Sequence, residues 1–184
     1  MFSRAKSLKG LWGNVKFIVK FKSWATILIF AFGIAVGLLI PYVSLAETLE
    51  ERLKRHEGVR HCVYNDVYDN PTIGVGHLLS RPVIPNMCWE DFQIERVLQH
   101  DIYTATHNAA ADVGPEFYNL PDNVQNVLIE LSFQLGGAGL SHFTTFLSLV
   151  RSGDYQAASL DLLGTKLAEQ LPKRTREQAR ILRR

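Results

Sequence analysis

No acidic residue occurs among the first 46 positions of this 184-residue chain, and from Ser23 to Ala46 there is no charge of either sign. The first absence leaves Arg4, Lys6, Lys9, Lys16, Lys20 and Lys22 unopposed. The second leaves the run SWATILIFAFGIAVGLLIPYVSLA, 24 residues long. As a helix it would reach roughly 36 Å, against a bilayer core of about 30 Å, and it is too long for an ordinary core helix. Residues 23–46 are therefore expected to be a transmembrane signal-anchor or a signal peptide. Cations before the run place residues 1–22 on the cytoplasmic side and export residues 47–184. Small residues at Ser44 and Ala46 permit cleavage after Ala46; a permanent anchor is equally compatible. Phe2, Leu8, Leu11, Trp12, Val15 and Val19 recur at roughly helical spacing among the lysines. They suit either a helix on an anionic membrane face or an ordinary basic leader.

Cysteine is scarce too. Only Cys62 and Cys88 are present, which excludes a scaffold held by several disulfides. Export would allow one bridge between them, tying a hairpin to the helical part, but two free thiols are the simpler reading. No repeat or low-complexity segment interrupts residues 47–184, so this part is read as one domain. It carries 14 basic and 18 acidic residues, a formal charge of about −4. The chain's overall pI of 8.6 thus says little about the folded part, and no nucleic-acid partner is expected.

What is present in that domain begins with a helix. Leu45, Leu49 and Leu53 follow at fourfold spacing, and Gly58 is a natural stop. VRHCVYN is short and β-rich, DVYDNP is a cluster of turn residues, and TIGVGHLL returns. This predicts a hairpin with a loop longer than two residues. The rest is helical. Trp89, Phe92, Val97, Ile102 and Ala105 are expected on one face. Asp122 is expected to cap a helix carrying Val124, Val127, Leu128, Leu131 and Leu135, which Gly136 and Gly137 would end. Ser141 and Asp154 are expected caps of two more helices, and Pro172 suits the first turn of a last, basic one. The fold class is α+β, a small hairpin lobe beside a helical lobe, with a cleft between them as the place for a substrate.

The chemistry concentrates in HEGVRHCVYNDVYDNPTIGVGHLL. Glu57 falls at the C-terminal end of its helix, where the negative end of the dipole raises the cost of ionising it. A carboxylic acid that keeps its proton can protonate a leaving oxygen. Asp66, in a wetter turn, is expected to stay ionised. Two carboxylates in contrasting environments are what glycoside hydrolysis requires. Thr72 opens the returning strand and offers a hydroxyl to hold a water.

Thr72 runs straight into IGVGHLL, and the stretch resembles the phage-type lysozymes, the T-even phage lysozyme family, which carries E-x8-D-x5-T followed at once by I-G-x-G-H. The likeness continues in LQHDI, LIELSFQLGGAGLSHFTTFL and EQLPKRTREQAR, from about Leu49 to Arg183. It implies a two-lobed muramidase that cleaves the β-1,4 bond between N-acetylmuramic acid and N-acetylglucosamine in peptidoglycan, as a monomer, with no cofactor and no metal. Glu57 takes the general-acid position, Asp66 the water-activating position and Thr72 the water-placing position. The family inverts, which requires about 6.5–9.5 Å between carboxylates. Gly76 and Leu78 by the hairpin, and Phe133 and Gln134 on the helical lobe, match substrate-binding positions. His77 and Asp101 match a structural ion pair. Arg174 matches an arginine that pairs with the catalytic glutamate and would oppose the helix dipole.

There are departures from the pattern. Leu167 stands where the family usually has an aromatic residue at the cleft floor, the loop SRPVIPNMC is short, and the chain stops at Arg184, short of the family's last turn. These bear on substrate affinity and stability more than on chemistry. The small residues within 23–46 also resemble the signal-arrest-release segments of some phage endolysins, which leave the membrane later. The expected location is the inner membrane of a host, N-terminus inside and catalytic domain in the periplasm, released or secreted after cleavage in some outcomes. Eleven helical residues from Ala46 to Glu57 span only roughly 16 Å, so a tethered cleft would lie near the bilayer and act poorly on the wall. Two alternatives stay open: an inactive lysozyme-fold protein that binds wall or membrane, and a lytic transglycosylase, which needs the glutamate but no water-activating aspartate.

Overall fold

A computed structural model of the protein describes residues 47–184. The basic segment 1–22 and the run 23–46 lie outside the described residues, together with every expectation placed on them. Among the described residues no helix is long and apolar enough to cross a membrane.

The chain opens with helix α1, Leu49–Glu57. Thr48 and Glu51 close a capping box: the Glu51 N–H donates to Thr48 Oγ1 and the Thr48 N–H donates to Glu51 Oε2. Two otherwise orphaned amides are thereby satisfied. Gly58, at φ 76°, ends the helix and donates its N–H to the Lys54 carbonyl. That stop fixes Glu57 as the last helical residue.

Strands β1 (Arg60–Asn65), β2 (Pro71–Gly74) and β3 (His77–Leu78) follow as an antiparallel meander. Thr72 stands opposite both Tyr64 and Leu78. The predicted two-stranded hairpin is thus corrected to three strands. TIGVGHLL contains a tight turn of its own, because Gly74 and Gly76 both adopt positive φ, a conformation open to glycine at no steric cost. The other edge of β1 is covered by the segment before the next helix. Val63 donates to the Met87 carbonyl, Trp89 donates to the His61 carbonyl, and Cys62 pairs with Cys88. Those two cysteines are joined by a disulfide, where the simpler reading of the sequence is two free thiols. The clasp holds β1 to the segment that leads into α2.

The helical lobe comprises α2 (Asp91–Val113), α3 (Asp122–Leu135), α4 (Thr144–Arg151), α5 (Tyr155–Leu163), α6 (Lys166–Gln170) and α7 (Pro172–Leu182), with 3-10 turns at Pro115–Asn119 and Leu140–His142. Helix α3 is its axis. Val124, Val127, Leu128 and Leu131 are fully buried in a core with Phe117, Leu140, Phe146 and Leu162. A second cluster of Leu53, Val75, Ile94 and Leu98, with Trp89 and Phe133 against it, joins α1 and the sheet to α2 and α3.

Three local expectations are corrected. The buried face of α2 is Ile94, Leu98, Ala105, Ala109 and Val113, while Phe92 is exposed. Its small alanines allow close packing along the C-terminal half, and that settles the register. Asp122 is the first residue of α3, not its cap, which is Pro121. Ser141 lies in a 3-10 turn and donates to the Ala138 carbonyl, so Phe143 precedes α4. Asp154 does cap α5, accepting from the Ala157 N–H, and Pro172 is in the first turn of α7. The short helix α6 and the turn Pro115–Asn119 carry too few residues to show a period.

The disulfide closes a separation of 26 residues. Constraint of the unfolded chain by a loop of that length is worth about 3 kcal/mol. Thermal unfolding with and without reductant should show the reduced protein less stable by that order. A midpoint indifferent to reductant would mean that the bridge contributes nothing.

Candidate active site

Each predicted site residue occupies a segment whose local structure fixes it. Glu57 is at the end of α1, where Arg174 Nη1, from the first turns of α7, donates to its Oε1 at 2.6 Å. Arg174 is buried and Glu57 is partly so. Gly76 comes close: a Cβ at that position would lie 3.6 Å from Glu57 Oε2. A Cβ there would meet the carboxylate at ordinary contact distance, so it is the φ of 73° that favours glycine.

Asp66 organises the β1–β2 turn. Its Oδ1 accepts from the N–H groups of Tyr68 and Asn70, each at 2.8 Å, and Oδ2 accepts from Asn70 Nδ2 at 3.2 Å. The Asn70 backbone N–H is the chief cause, with the Asn70 amide and the Tyr68 N–H behind it, of a pKa held below the ordinary value of 3.8. Hydrogen bonds to the charged form favour that form. Thr72 is buried on β2, and its hydroxyl donates to the Asn70 carbonyl at 3.0 Å. Toward a water, Thr72 Oγ1 is therefore left as an acceptor.

A cavity of about 330 Å³ opens where the β2–β3 turn meets α2 and α3. Gly76, Leu78 and Phe133 line it, together with His77 and Asp101. His77 Nδ1 and Asp101 Oδ2 are 2.7 Å apart, a polar contact that links the sheet to α2. Glu57 adjoins this space through Gly76. Asp66, Thr72 and Gln134 do not line it. The first two belong to the β1–β2 turn and strand β2. Gln134 is half-buried on α3, and its Oε1 has no hydrogen-bond partner among the described residues. Leu167 is part of the helical core. A larger concavity of about 640 Å³, lined by Val63, Asn65, Pro71 and the loop Arg81–Asn86, holds none of the predicted residues. Chemistry rather than size distinguishes the cleft.

Glu130 was not expected. It sits fully buried in α3, with Arg52 Nε at 3.3 Å from Oε2, and with Arg174 Nε at 3.4 Å and His56 Nε2 at 3.6 Å from Oε1. Its one signal in sequence is a lone acid within the apolar stretch VLIELSF.

Ionised Asp66 contributes stability through hydrogen bonds that the neutral form makes less well. Its folded-state pKa is depressed, so the contribution is complete above the ordinary value and is lost as pH falls through the folded one. The stability gap between wild type and Asp66→Asn should be constant at neutral pH and narrow below pH about 4. Paired denaturant titrations across that range would reveal it, and a gap closing near neutrality would contradict the turn chemistry.

The phage lysozyme family model matches residues 54–177. Among curated proteins, the pre-baseplate central spike protein Gp5 of Enterobacteria phage T4 is 29% identical over 144 aligned positions, covering 64% of this chain and 24% of that protein. The probable T4-type lysozyme 2 of Dictyostelium discoideum is 23% identical over 154 positions, covering 71% of this chain and 91% of that one. The chain thus spans about a quarter of the length of the spike protein and most of the second relative.

Proposed function

The chain belongs to the phage lysozyme family, and on that premise we propose that it is a muramidase, hydrolysing the β-1,4 bond between N-acetylmuramic acid and N-acetylglucosamine in peptidoglycan. The observation that carries this reading is the contrast between two carboxylates. Asp66 is locked as an anion by three N–H donors in a partly exposed turn. Glu57 lies half-enclosed at a helix end, against one guanidinium and a glycine turn that lines the cleft.

In the proposed mechanism the glycan occupies the cleft by Gly76, Leu78 and Phe133, with Gln134 nearby on α3. Glu57 protonates the departing glycosidic oxygen. Asp66 accepts a proton from a water that attacks the anomeric carbon from the opposite face, giving inversion. Thr72 accepts the water's other hydrogen, since its own proton is committed to Asn70. With both hydrogens held, an oxygen lone pair is free to face the sugar. His77 and Asp101 keep the β2–β3 turn in place.

Glu57→Gln keeps the shape and removes the proton. Lysis of purified cell walls, followed by turbidity, should fall roughly 10²- to 10⁴-fold with little change in melting temperature. New reducing ends of inverted configuration should appear with wild type. Anhydro-sugar products would instead assign a lytic transglycosylase, and no products at all from a folded wild type would assign a non-catalytic wall-binding protein.

For location we propose the cytoplasmic membrane of a host, with the N-terminus inside and residues 47–184 exported. The support is the unopposed basic segment and the charge-free run that follows it. N-terminal sequencing of the protein from cells should find either the intact leader in the membrane fraction or a new terminus near Glu47. A full-length protein in the cytosolic fraction would refute export.

A further inference from the structure

Glu130 takes no direct part in the proposed chemistry, yet it lies within ion-pair distance of the residue that does touch the acid. Arg174 presents Nε to Glu130 at 3.4 Å and Nη1 to Glu57 at 2.6 Å. One guanidinium stands between two carboxylates. An unshared arginine tends to take a carboxylate through two parallel bonds. Here Glu57 receives a single bond, and the Nε side of the guanidinium faces Glu130.

The charged groups around this pair come from three helices. Helix α1 supplies Arg52, Arg55 and His56, α3 supplies Glu130, and α7 supplies Arg174 and Glu177. Arg55 is occupied by Glu47 and Glu177. His56 is held neutral at neutral pH, chiefly by burial and then by the charge of Arg174, both of which push its pKa down. On the sheet side Gly76 brings no charge, and His77 and Asp101 are paired with each other. The enclosed set is therefore Arg52 and Arg174 against Glu57 and Glu130. It balances when Glu57 is ionised. It carries one surplus positive charge when Glu57 holds its proton, and without Glu130 the surplus would be two.

We propose that Glu130 is a positioning residue that sets, through Arg174 and against Arg52, how readily Glu57 gives up its proton. Its importance for turnover rests on the muramidase reading, but its effect on Glu57 can be measured without turnover. The experiment is a carbon-13 NMR titration of the Glu57 carboxyl, beside the pH profile of kcat/KM, in the full chain. It compares wild type with Glu130→Gln, Arg52→Met and the double variant. Glu130→Gln should lower the pH at which Glu57 ionises by about one unit, drawing the alkaline limb of the profile down with it. Arg52→Met should move both upward, and the double variant should return close to wild type. Opposite displacements from two neutralising changes are not what general loosening produces. If Glu130→Gln fails to fold, Arg52→Met against the double variant makes the same comparison. Single variants that shift Glu57 in one common direction, or leave its titration unmoved, overturn the proposal. Titrations displaced as described in a protein that cleaves no glycan uphold the role of Glu130 and refute the muramidase reading instead.

Discussion

Glu130 lies in α3 with no solvent exposure, between Arg52 of α1 and Arg174 of α7. Three helices that are far apart in the chain meet at that carboxylate. Bringing such ions out of water is costly, and their attraction repays the cost only when each has its partners. Losing one partner leaves an uncompensated buried charge, at about 3–5 kcal/mol. The triad ties α1, α3 and α7 together at one buried point, in addition to their apolar contacts. Leu53 and the apolar side of α3 fill the space around it. The end of α1, and with it Glu57, is placed by that packing.

The sheet lobe reaches the same place by different means. Its apolar contribution comes from Ile73 and Val75, both buried, with Val75 joining Leu53, Ile94 and Leu98. Directional contacts do the rest. Asp66 gathers three N–H groups, His77 reaches Asp101 on α2, and Gly76 lets the β2–β3 turn approach Glu57. Glu57 adjoins the cleft through Gly76, while Asp66 lies in the neighbouring β1–β2 turn, outside the cavity lining. The proposed chemistry draws on both groups, the acid at the end of α1 and the anion that the turn's N–H groups stabilise.

Much of this architecture was legible in the sequence. Gly58 marked the end of α1, whose start at Leu49 behind the Thr48 cap falls later than a leucine spacing counted from Leu45 suggests, and Asp154 and Pro172 marked the starts of α5 and α7. The E-x8-D-x5-T spacing singled out residues that the fold places at a helix end, a turn and a strand. The register of α2 was less readable, since its large aromatic Phe92 attracts attention while small alanines form the buried face. The third strand was hidden because glycines at Gly74 and Gly76 act as a turn without the usual polar company. Least visible was the ion cluster. Glu130 is a lone acid within VLIELSF, and its partner Arg52 lies 78 positions away. Local patterns carry no trace of so distant a pairing. The Glu57–Arg174 contact spans 117 positions and was anticipated only through family resemblance.

The clasp between Cys62 and Cys88 has a bearing on when the molecule matures. Thiols stay apart in reducing surroundings and join in oxidising ones. The triad of ions and the helical core contain neither cysteine, so reductant leaves their contacts chemically unchanged. The β lobe is different: the sulfur bond adds to the backbone hydrogen bonds along the edge of β1, and that part of the seal answers to oxidation. A copy kept among reductants would therefore retain the backbone pairing at that edge and lack its covalent closure.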